Sequence, residues 1–111
     1  MLQDDCFTVV NVFTVTPEKQ QEFLQDASQF VERFVRKLPG FIWAGFLISF
    51  DGTRVINMSQ WESEEAFLAF FHHPEAQPDM NRYWQLVERV DHNRYQVAAQ
   101  FTPDLEKGEN T

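Results

Sequence analysis

The sequence predicts a single α+β domain in which strands and helices follow one another in the order β-α-β-β-α-β. Three observations lead to this prediction: a β-rich run precedes an amphipathic helix, an Asp-Gly pair separates two further β-rich runs, and a second helical region precedes a last alternating segment. The 111 residues are enough for one domain and too few for two. We expect one domain over residues 1–111, with its core at about 7–101 and a polar tail over 102–111.

The first strand and the first helix are predicted from residues 7–38. From Phe7 to Val15 the side chains alternate with period two, and β-branched residues are frequent, which is typical of a strand. Thr16-Pro17-Glu18 then combines an N-cap residue, a first-turn proline and an early acid, so a helix begins there. Pro39-Gly40 ends it. Its apolar positions recur at helical spacing: Phe23, Ala27, Phe30, Val31, Phe34, Val35 and Leu38.

A β-hairpin is predicted around Asp51-Gly52, which lies between the β-rich runs 41–50 and 53–61. Asp-Gly is typical of a two-residue type I′ turn, whose central residues both have positive φ. Such a turn sets the register. The expected pairs are Phe50 with Thr53, Ile48 with Val55, Phe46 with Asn57, Ala44 with Ser59 and Ile42 with Trp61. Since opposed residues share a face, Asn57, Ser59 and Trp61 are expected together on the helix-covered face.

The second half of the chain repeats the helix-then-strand order. Ser63 is the predicted N-cap of a helix with an apolar side of phenylalanines, and His73-Pro74 interrupts it. A further helix is predicted from the stripe Met80, Tyr83, Trp84, Val87 and Val90, and a last strand from the alternating residues Tyr95, Val97, Ala99 and Phe101. The resulting order of elements is that of the ferredoxin-like fold.

One face of such a sheet has no helices over it, and in this chain that face is apolar. An open apolar sheet face of this size is unfavourable on a monomer. We therefore expect a homodimer formed through this face, whose residues are Trp43, Leu47, Ile56 and Met58, with Val10 and Val12 beside them.

Composition restricts the partners and the compartment. The formal net charge is −8 and no segment concentrates Lys or Arg, so neither a nucleic acid nor an anionic membrane surface is expected as a partner. A single cysteine, Cys6, excludes an intrachain disulfide and fits a reducing compartment. The N-terminus is acidic and no apolar run reaches transmembrane length, which predicts a soluble cytoplasmic protein.

Polar residues within the predicted strands are the candidate site residues. Asn57 is a poor strand former in the middle of a strand, on a face where a purely structural sequence would place Val or Ile. Trp61 lies on the same face and offers an indole N–H donor. Asn11 is likewise a poor strand former within the first predicted strand. The alternative is that Trp61 is a core ring and that each amide satisfies a local backbone group.

A metal site is not expected. His72 and His73 are adjacent and therefore diverge on a helix, and neither they nor His92 have a carboxylate or cysteine at a supporting ligand spacing. The pair is better explained as exposed residues at a helix end. Cys6 has no histidine nearby in sequence, so a nucleophilic role is weakly supported.

Three segments together resemble the antibiotic biosynthesis monooxygenase family, and within it the anthrone monooxygenases of aromatic polyketide pathways. The segments are Leu38-Pro39-Gly40-Phe41, Asp51-Gly52-Thr53 and the run Val-Ile-Asn-Met-Ser-Gln-Trp-Glu-Ser-Glu over 55–64. The resemblance covers about Phe7 to Phe101. Its Trp-Glu-Ser element recurs across the family whatever the substrate, whereas the combination of Asn57 with Trp61 is more specific.

The resemblance implies a dimeric α+β barrel with one pocket per subunit between sheet and helices. It also implies a cofactor-independent monooxygenase, using no metal, flavin or haem, in which a phenolic or polycyclic aromatic substrate reacts directly with O2 to give a quinone. The catalytic residues it implies are Asn57 and Trp61, which would bind the substrate oxygens, and Arg82, which would stabilise a phenolate. The substrate-binding residues expected around them are Phe67, Trp84, Asn11, Phe46 and Phe70.

Two departures from the family pattern leave a second function open. Phe67 stands where the anthrone oxidisers have a tyrosine, so a hydroxyl is lost. Their helical arginine falls near Asn81 or Arg82, with an offset of one residue. The alternative is a non-catalytic protein of the same fold that binds a small ligand.

Haem degradation, the activity of another branch of the family, is disfavoured. That branch uses an Asn, Trp and His set. Asn11 matches its asparagine, but Phe70 and Met80 stand where its tryptophan and histidine should be.

Overall fold

The computed structural model describes residues 2–104, and its elements follow the predicted order. Two 3₁₀ turns, Val35–Lys37 and Pro74–Ala76, come after the first and second helices. Residues 105–111 of the predicted tail lie outside the described part. The elements are β1 (Phe7–Thr14), α1 (Pro17–Arg33), β2 (Phe41–Ile48), β3 (Arg54–Trp61), α2 (Glu64–Phe71), α3 (Gln77–Tyr83) and β4 (Arg89–Tyr95).

The four strands form one antiparallel sheet in the order β2-β3-β1-β4. The helices pack on the face that carries Val9, Phe13, Val55 and Trp61, all of which are buried. This is the predicted α+β ferredoxin-like arrangement. None of the helices within residues 2–104 is long and apolar enough to cross a membrane.

The β2–β3 hairpin has the predicted register but a different tip. Ile48 pairs with Val55, Phe46 with Asn57 and Ala44 with Ser59, as expected. The expected pair of Phe50 with Thr53 does not form, because the strands end at Ile48 and Arg54 and Phe50 is fully exposed. Side chains hold the wider turn: Ser49 Oγ accepts from the Thr53 and Arg54 amides at 3.2 and 2.9 Å, and Asp51 Oδ1 accepts from the Thr53 amide at 3.0 Å. Gly52 has positive φ and Asp51 does not, so the turn is not type I′.

A β-bulge changes the other end of the hairpin. The register shifts between Phe41 and Trp43, so Phe41 rather than Ile42 pairs with Trp61. Gly40, just before the bulge, has φ of +84°, and a Cβ there would lie 2.5 Å from the Cβ of Ala66 in α2. Glycine is required at this position for both reasons.

The last strand differs from its prediction. β4 spans Arg89–Tyr95 instead of the segment from Tyr95 to Phe101, and α3 ends at Tyr83 instead of continuing to Val90. The Glu88 amide donates to Thr14 O at 2.8 Å, so pairing with β1 begins directly after the helix. This tertiary pairing overrides the apolar helical stripe and recruits a polar segment into the sheet.

Two clusters of buried side chains form the core under the helices. One surrounds Trp61 and Phe30, and the other surrounds Phe23 and Val55. Tyr83 packs against both. Between the two clusters the sheet and the helices are not fully packed, and this leaves the space described next.

Candidate functional site

A cavity of about 500 Å³ lies between the sheet and the three helices. Its volume is in the range of small-molecule sites. All four strands and all three helices contribute lining residues. Most of the wall is apolar or aromatic. The strands contribute the polar side chains Asn11, Asn57, Ser59, His92 and Arg94, and α3 contributes the amides Gln77 and Asn81.

Three of these polar residues form a row across the sheet. Asn11 in β1 lies directly opposite Asn57 in β3 and directly opposite His92 in β4. Asn11 Nδ2 donates to Asn57 Oδ1 at 3.2 Å, and His92 Nδ1 lies 2.6 Å from Asn11 Oδ1. The structure therefore brings the candidate residues Asn11 and Asn57 together on one cavity wall, and a histidine joins them.

Arg94 extends the row on the same face of β4. Its Nε donates to His92 Nε2 at 3.4 Å, and its Nη1 lies 3.4 Å from Glu64 Oε2 in α2. The guanidinium carbon sits 5.2 Å from the centroid of the Phe67 ring, which is cation–π geometry. Phe67 also stacks on His92, with 6.1 Å between centroids and 19° between planes.

The surroundings of His92 favour the neutral form of its imidazole. Partial burial lowers its pKa below the ordinary 6.5, and the positive charge of Arg94 lowers it further. A neutral imidazole has one N–H donor and one acceptor nitrogen. Which nitrogen carries the hydrogen determines the direction of the hydrogen bonds along the row.

Trp61 lines the cavity as predicted, but its N–H is already engaged. The side chain is 0% exposed, and Nε1 donates to Ser59 Oγ at 3.1 Å. Its ring stacks on Phe70, with 5.3 Å between centroids and 17° between planes. Trp61 is therefore a core ring, as the alternative interpretation expects, and it also forms part of the cavity wall.

The predicted aromatic walls also line the cavity. Phe46 and Phe70 are partly buried, and Phe67 is 3% exposed. Trp84 is 63% exposed, which places it at the mouth.

Tyr83 supplies a phenol hydroxyl in the cavity wall, although Phe67 has none. Its ring makes edge-on contacts with Phe13, Phe23 and Phe30. Burial raises the Tyr83 pKa, and the negative charges of Asp26 and Asp79 raise it further, so the hydroxyl stays protonated at neutral pH.

Arg82 is the expected site residue that the structure does not bring to the cavity. It is absent from the lining, and its guanidinium forms a two-pronged ion pair with Asp26, with Nη2 3.0 Å from Oδ1 and Nε 3.0 Å from Oδ2. A second bond joins it to Asp79, whose carboxylate is buried and also accepts from Arg33 at 2.8 Å. Arg82 is thus committed to linking α1 and α3.

No cluster suited to a metal ion exists within residues 2–104: nowhere there do three or more His, Cys, Asp or Glu side chains converge. His72 is exposed just after α2, and His73 Nδ1 accepts from the Glu75 amide at 3.1 Å and so caps a 3₁₀ turn.

Sequence reasoning missed His92, Arg94 and Tyr83. Tyr83 belongs to the predicted apolar helical stripe, and His92 and Arg94 precede the segment predicted as the last strand. A signal for His92 and Arg94 does exist, because they alternate along β4 with Val90 in phase with the helix-covered face. The polar composition of this strand hid it.

The chain is similar to known proteins in both sequence and fold. Residues 6–78 match the antibiotic biosynthesis monooxygenase family. The chain is 45% identical over 85 residues to the tetracenomycin-F1 monooxygenase of Streptomyces glaucescens, which covers 77% of this chain and 75% of that protein.

Two solved structures are similar over most of the chain. One is the ActVA-Orf6 monooxygenase of Streptomyces coelicolor in complex with nanaomycin D, with a TM-score of 0.76, 27% identity, and coverage of 89% of this chain and 93% of that one. The other is SnoaB, a cofactor-independent oxygenase from Streptomyces nogalater, with a TM-score of 0.70, 25% identity, and coverage of 90% and 99%.

Proposed function

Because this chain belongs to the antibiotic biosynthesis monooxygenase family, we propose that it is a cofactor-independent monooxygenase that oxidises a phenolic polycyclic aromatic substrate of the anthrone type to a quinone with O2. The observation that carries the proposal is the aromatic cavity with a row of amide and imidazole groups on its sheet wall. A flat substrate with oxygens along one edge suits an aromatic cavity that carries such a row on its sheet wall.

The proposed reaction balances without an external reductant. The substrate loses a proton to give an electron-rich phenolate or enolate, and this anion reduces O2. One oxygen atom becomes the new quinone carbonyl, and the other leaves as water with the two hydrogens of the oxidised carbon. The protein then has to orient the substrate and stabilise the anion, both of which lower the barrier.

The anion would be stabilised at the polar row. Asn57 accepts from Asn11 through Oδ1, which leaves its amide N–H groups for a substrate oxygen. Arg94 lines the same cavity and carries a permanent positive charge. We therefore assign the phenolate-stabilising role expected of Arg82 to Arg94, while Phe67, Phe70 and Phe46 form the wall.

The proposed enzyme works as a homodimer through the face of the sheet that has no helices. Leu47 is 54% exposed there, and Trp43, Ile56 and Met58 are only partly buried within the monomer. Trp43 lies over Gly45, where a Cβ would come within 2.8 Å of the indole ring. A second copy of the same face would remove this apolar surface from water.

The test is O2-dependent quinone formation from anthrone, a dihydroxyanthracene and a naphthol, with O2 uptake measured in parallel. We expect turnover above the buffer rate, and we expect Asn57→Ala to lower it by roughly 10²–10³-fold, as for other oxyanion donors. Gln25→Ala, on the exposed side of α1, is the control for losing an amide side chain. A wild-type protein that binds these compounds but oxidises none of them would support the ligand-binding alternative instead.

A further inference from the structure

We propose that Arg94 and His92 are positioning residues that fix the Asn57 amide with its N–H groups toward the cavity. Neither residue was expected at the site from the sequence. The inference rests on the proposed function only where it gives those N–H groups a substrate oxygen to bind. The orientation of the amide itself follows from hydrogen-bond geometry.

The row can adopt two opposite polarities. His92 Nδ1 and Asn11 Oδ1 are 2.6 Å apart, which is a hydrogen-bond distance. One of these two side chains must therefore donate a hydrogen to the other. In one polarity, His92 donates from Nδ1 and Asn57 presents N–H groups to the cavity. In the other, the Asn11 amide is turned over and donates to Nδ1, and Asn57 presents its oxygen. Only the first polarity favours a substrate oxyanion.

Arg94 selects the first polarity. A guanidinium can only donate, and its Nε faces His92 Nε2 at 3.4 Å, so Nε2 is the acceptor and Nδ1 carries the hydrogen. Stacking against Phe67 restrains the ring in this orientation. Protonation of His92 would not reverse the row, because the imidazolium also carries a hydrogen on Nδ1.

The preference then passes along the row one residue at a time. His92 Nδ1–H donates to Asn11 Oδ1, which turns Asn11 Nδ2 toward Asn57 Oδ1 at 3.2 Å. Asn57 is left with its amide hydrogens on the cavity side. A permanent charge on β4 thus sets the donor character of a side chain on β3, two strands away.

The first experiment reads the tautomer directly by ¹⁵N NMR of the histidine side chains, with His92 assigned from a His92→Phe sample. The wild type should carry its hydrogen on Nδ1 at neutral pH. Arg94→Gln should shift His92 toward the Nε2–H form and Arg94→Lys should restore Nδ1–H, whereas Arg89→Gln, on the same strand outside the cavity, should change nothing. An Nε2–H tautomer in the wild type would overturn the proposal, as would no response to Arg94→Gln.

The second experiment reverses the row with an isosteric change. Asn11→Asp accepts from both neighbours, so Asn57 should turn its N–H groups toward residue 11 and its oxygen toward the cavity. Binding of 1,4-naphthoquinone, which only accepts hydrogen bonds, should weaken by roughly fivefold to tenfold in calorimetry, in line with the loss of one hydrogen bond. Unchanged quinone affinity in a folded Asn11→Asp protein would refute the polarity argument.

Neither measurement requires turnover, so the two proposals fail separately. A protein with the Nδ1–H tautomer and the expected binding losses, but no oxidation of any substrate, would keep this inference and remove the proposed function.

Discussion

The indole N–H of Trp61 donates to the hydroxyl of Ser59, two residues earlier on the same strand, at 3.1 Å. Both side chains are buried, and the Trp61 ring contacts Phe41, Phe67 and Phe70. This hydrogen bond satisfies a donor that would otherwise be costly to bury. Trp61 therefore holds the cavity wall in place, and its N–H could reach a substrate oxygen only by leaving Ser59.

Trp61→Phe should lower the free energy of unfolding by about 1–3 kcal/mol, because it removes buried ring surface and leaves Ser59 without its donor. Urea denaturation measures this loss. Ser59→Ala, which removes only the acceptor, should cost about 1 kcal/mol. If Trp61→Phe kept its stability and lost only turnover, the functional partner of the indole N–H would be the substrate and not Ser59.

Arg82→Gln should affect stability and not the reaction. The side chain is 43% exposed, so solvent screens much of its interaction, but it partners the Asp79 carboxylate, which is 6% exposed. We expect a loss of about 1 kcal/mol in unfolding free energy, with quinone formation unchanged. A large fall in turnover without loss of stability would return Arg82 to the site.

His92 should titrate below 6.5 in an NMR pH titration, since burial first and Arg94 second lower its pKa. A lowered native pKa gives stability that is complete above the unfolded value of about 6.5 and is lost as pH falls through the native value. The wild type should thus lose more stability than His92→Phe on acidification through this window. Arg94→Gln should raise the His92 pKa, and a His92 pKa at or above 6.5 in the wild type would contradict this account.

Met58→Lys should dissociate the proposed homodimer, because it places a charge in the centre of the helix-free sheet face. Light scattering at micromolar concentration should give twice the chain mass of 13.1 kDa for the wild type and the single mass for the variant. Ser28→Lys, on the exposed side of α1, is the control for an added lysine. A wild-type monomer at this concentration would exclude assembly through this face.

The hairpin shows what the sequence could predict. Phe46 and Asn57 pair as expected because residues 51 and 52 remain at the centre of the turn, and widening the loop symmetrically does not change which residues face each other. The turn type could not be read from Asp51-Gly52 alone, because Ser49 and Thr53 contribute the hydrogen bonds that stabilise the wider form.

The last strand shows what the sequence could not predict. Val97, Ala99 and Phe101 alternate as a strand should, yet β4 ends at Tyr95. The segment that forms β4 contains Asp91, His92, Asn93 and Arg94, which are poor strand formers, and its place in the sheet comes from pairing with β1. Hydrophobic periodicity cannot predict a strand whose cavity-facing positions carry polar site residues.

The row of Asn57, Asn11 and His92 draws its members from distant parts of the chain. Asn11 is separated by 46 residues from Asn57 and by 81 from His92. Pairing over such separations is a slow step in folding, and a slip of one residue would send a whole strand's side chains to the other face. The row is therefore complete only after β4 has paired with β1 in register. A ligand that needs all three groups stabilises only the fully assembled four-stranded sheet. Such a ligand selects against every partly assembled form of the chain.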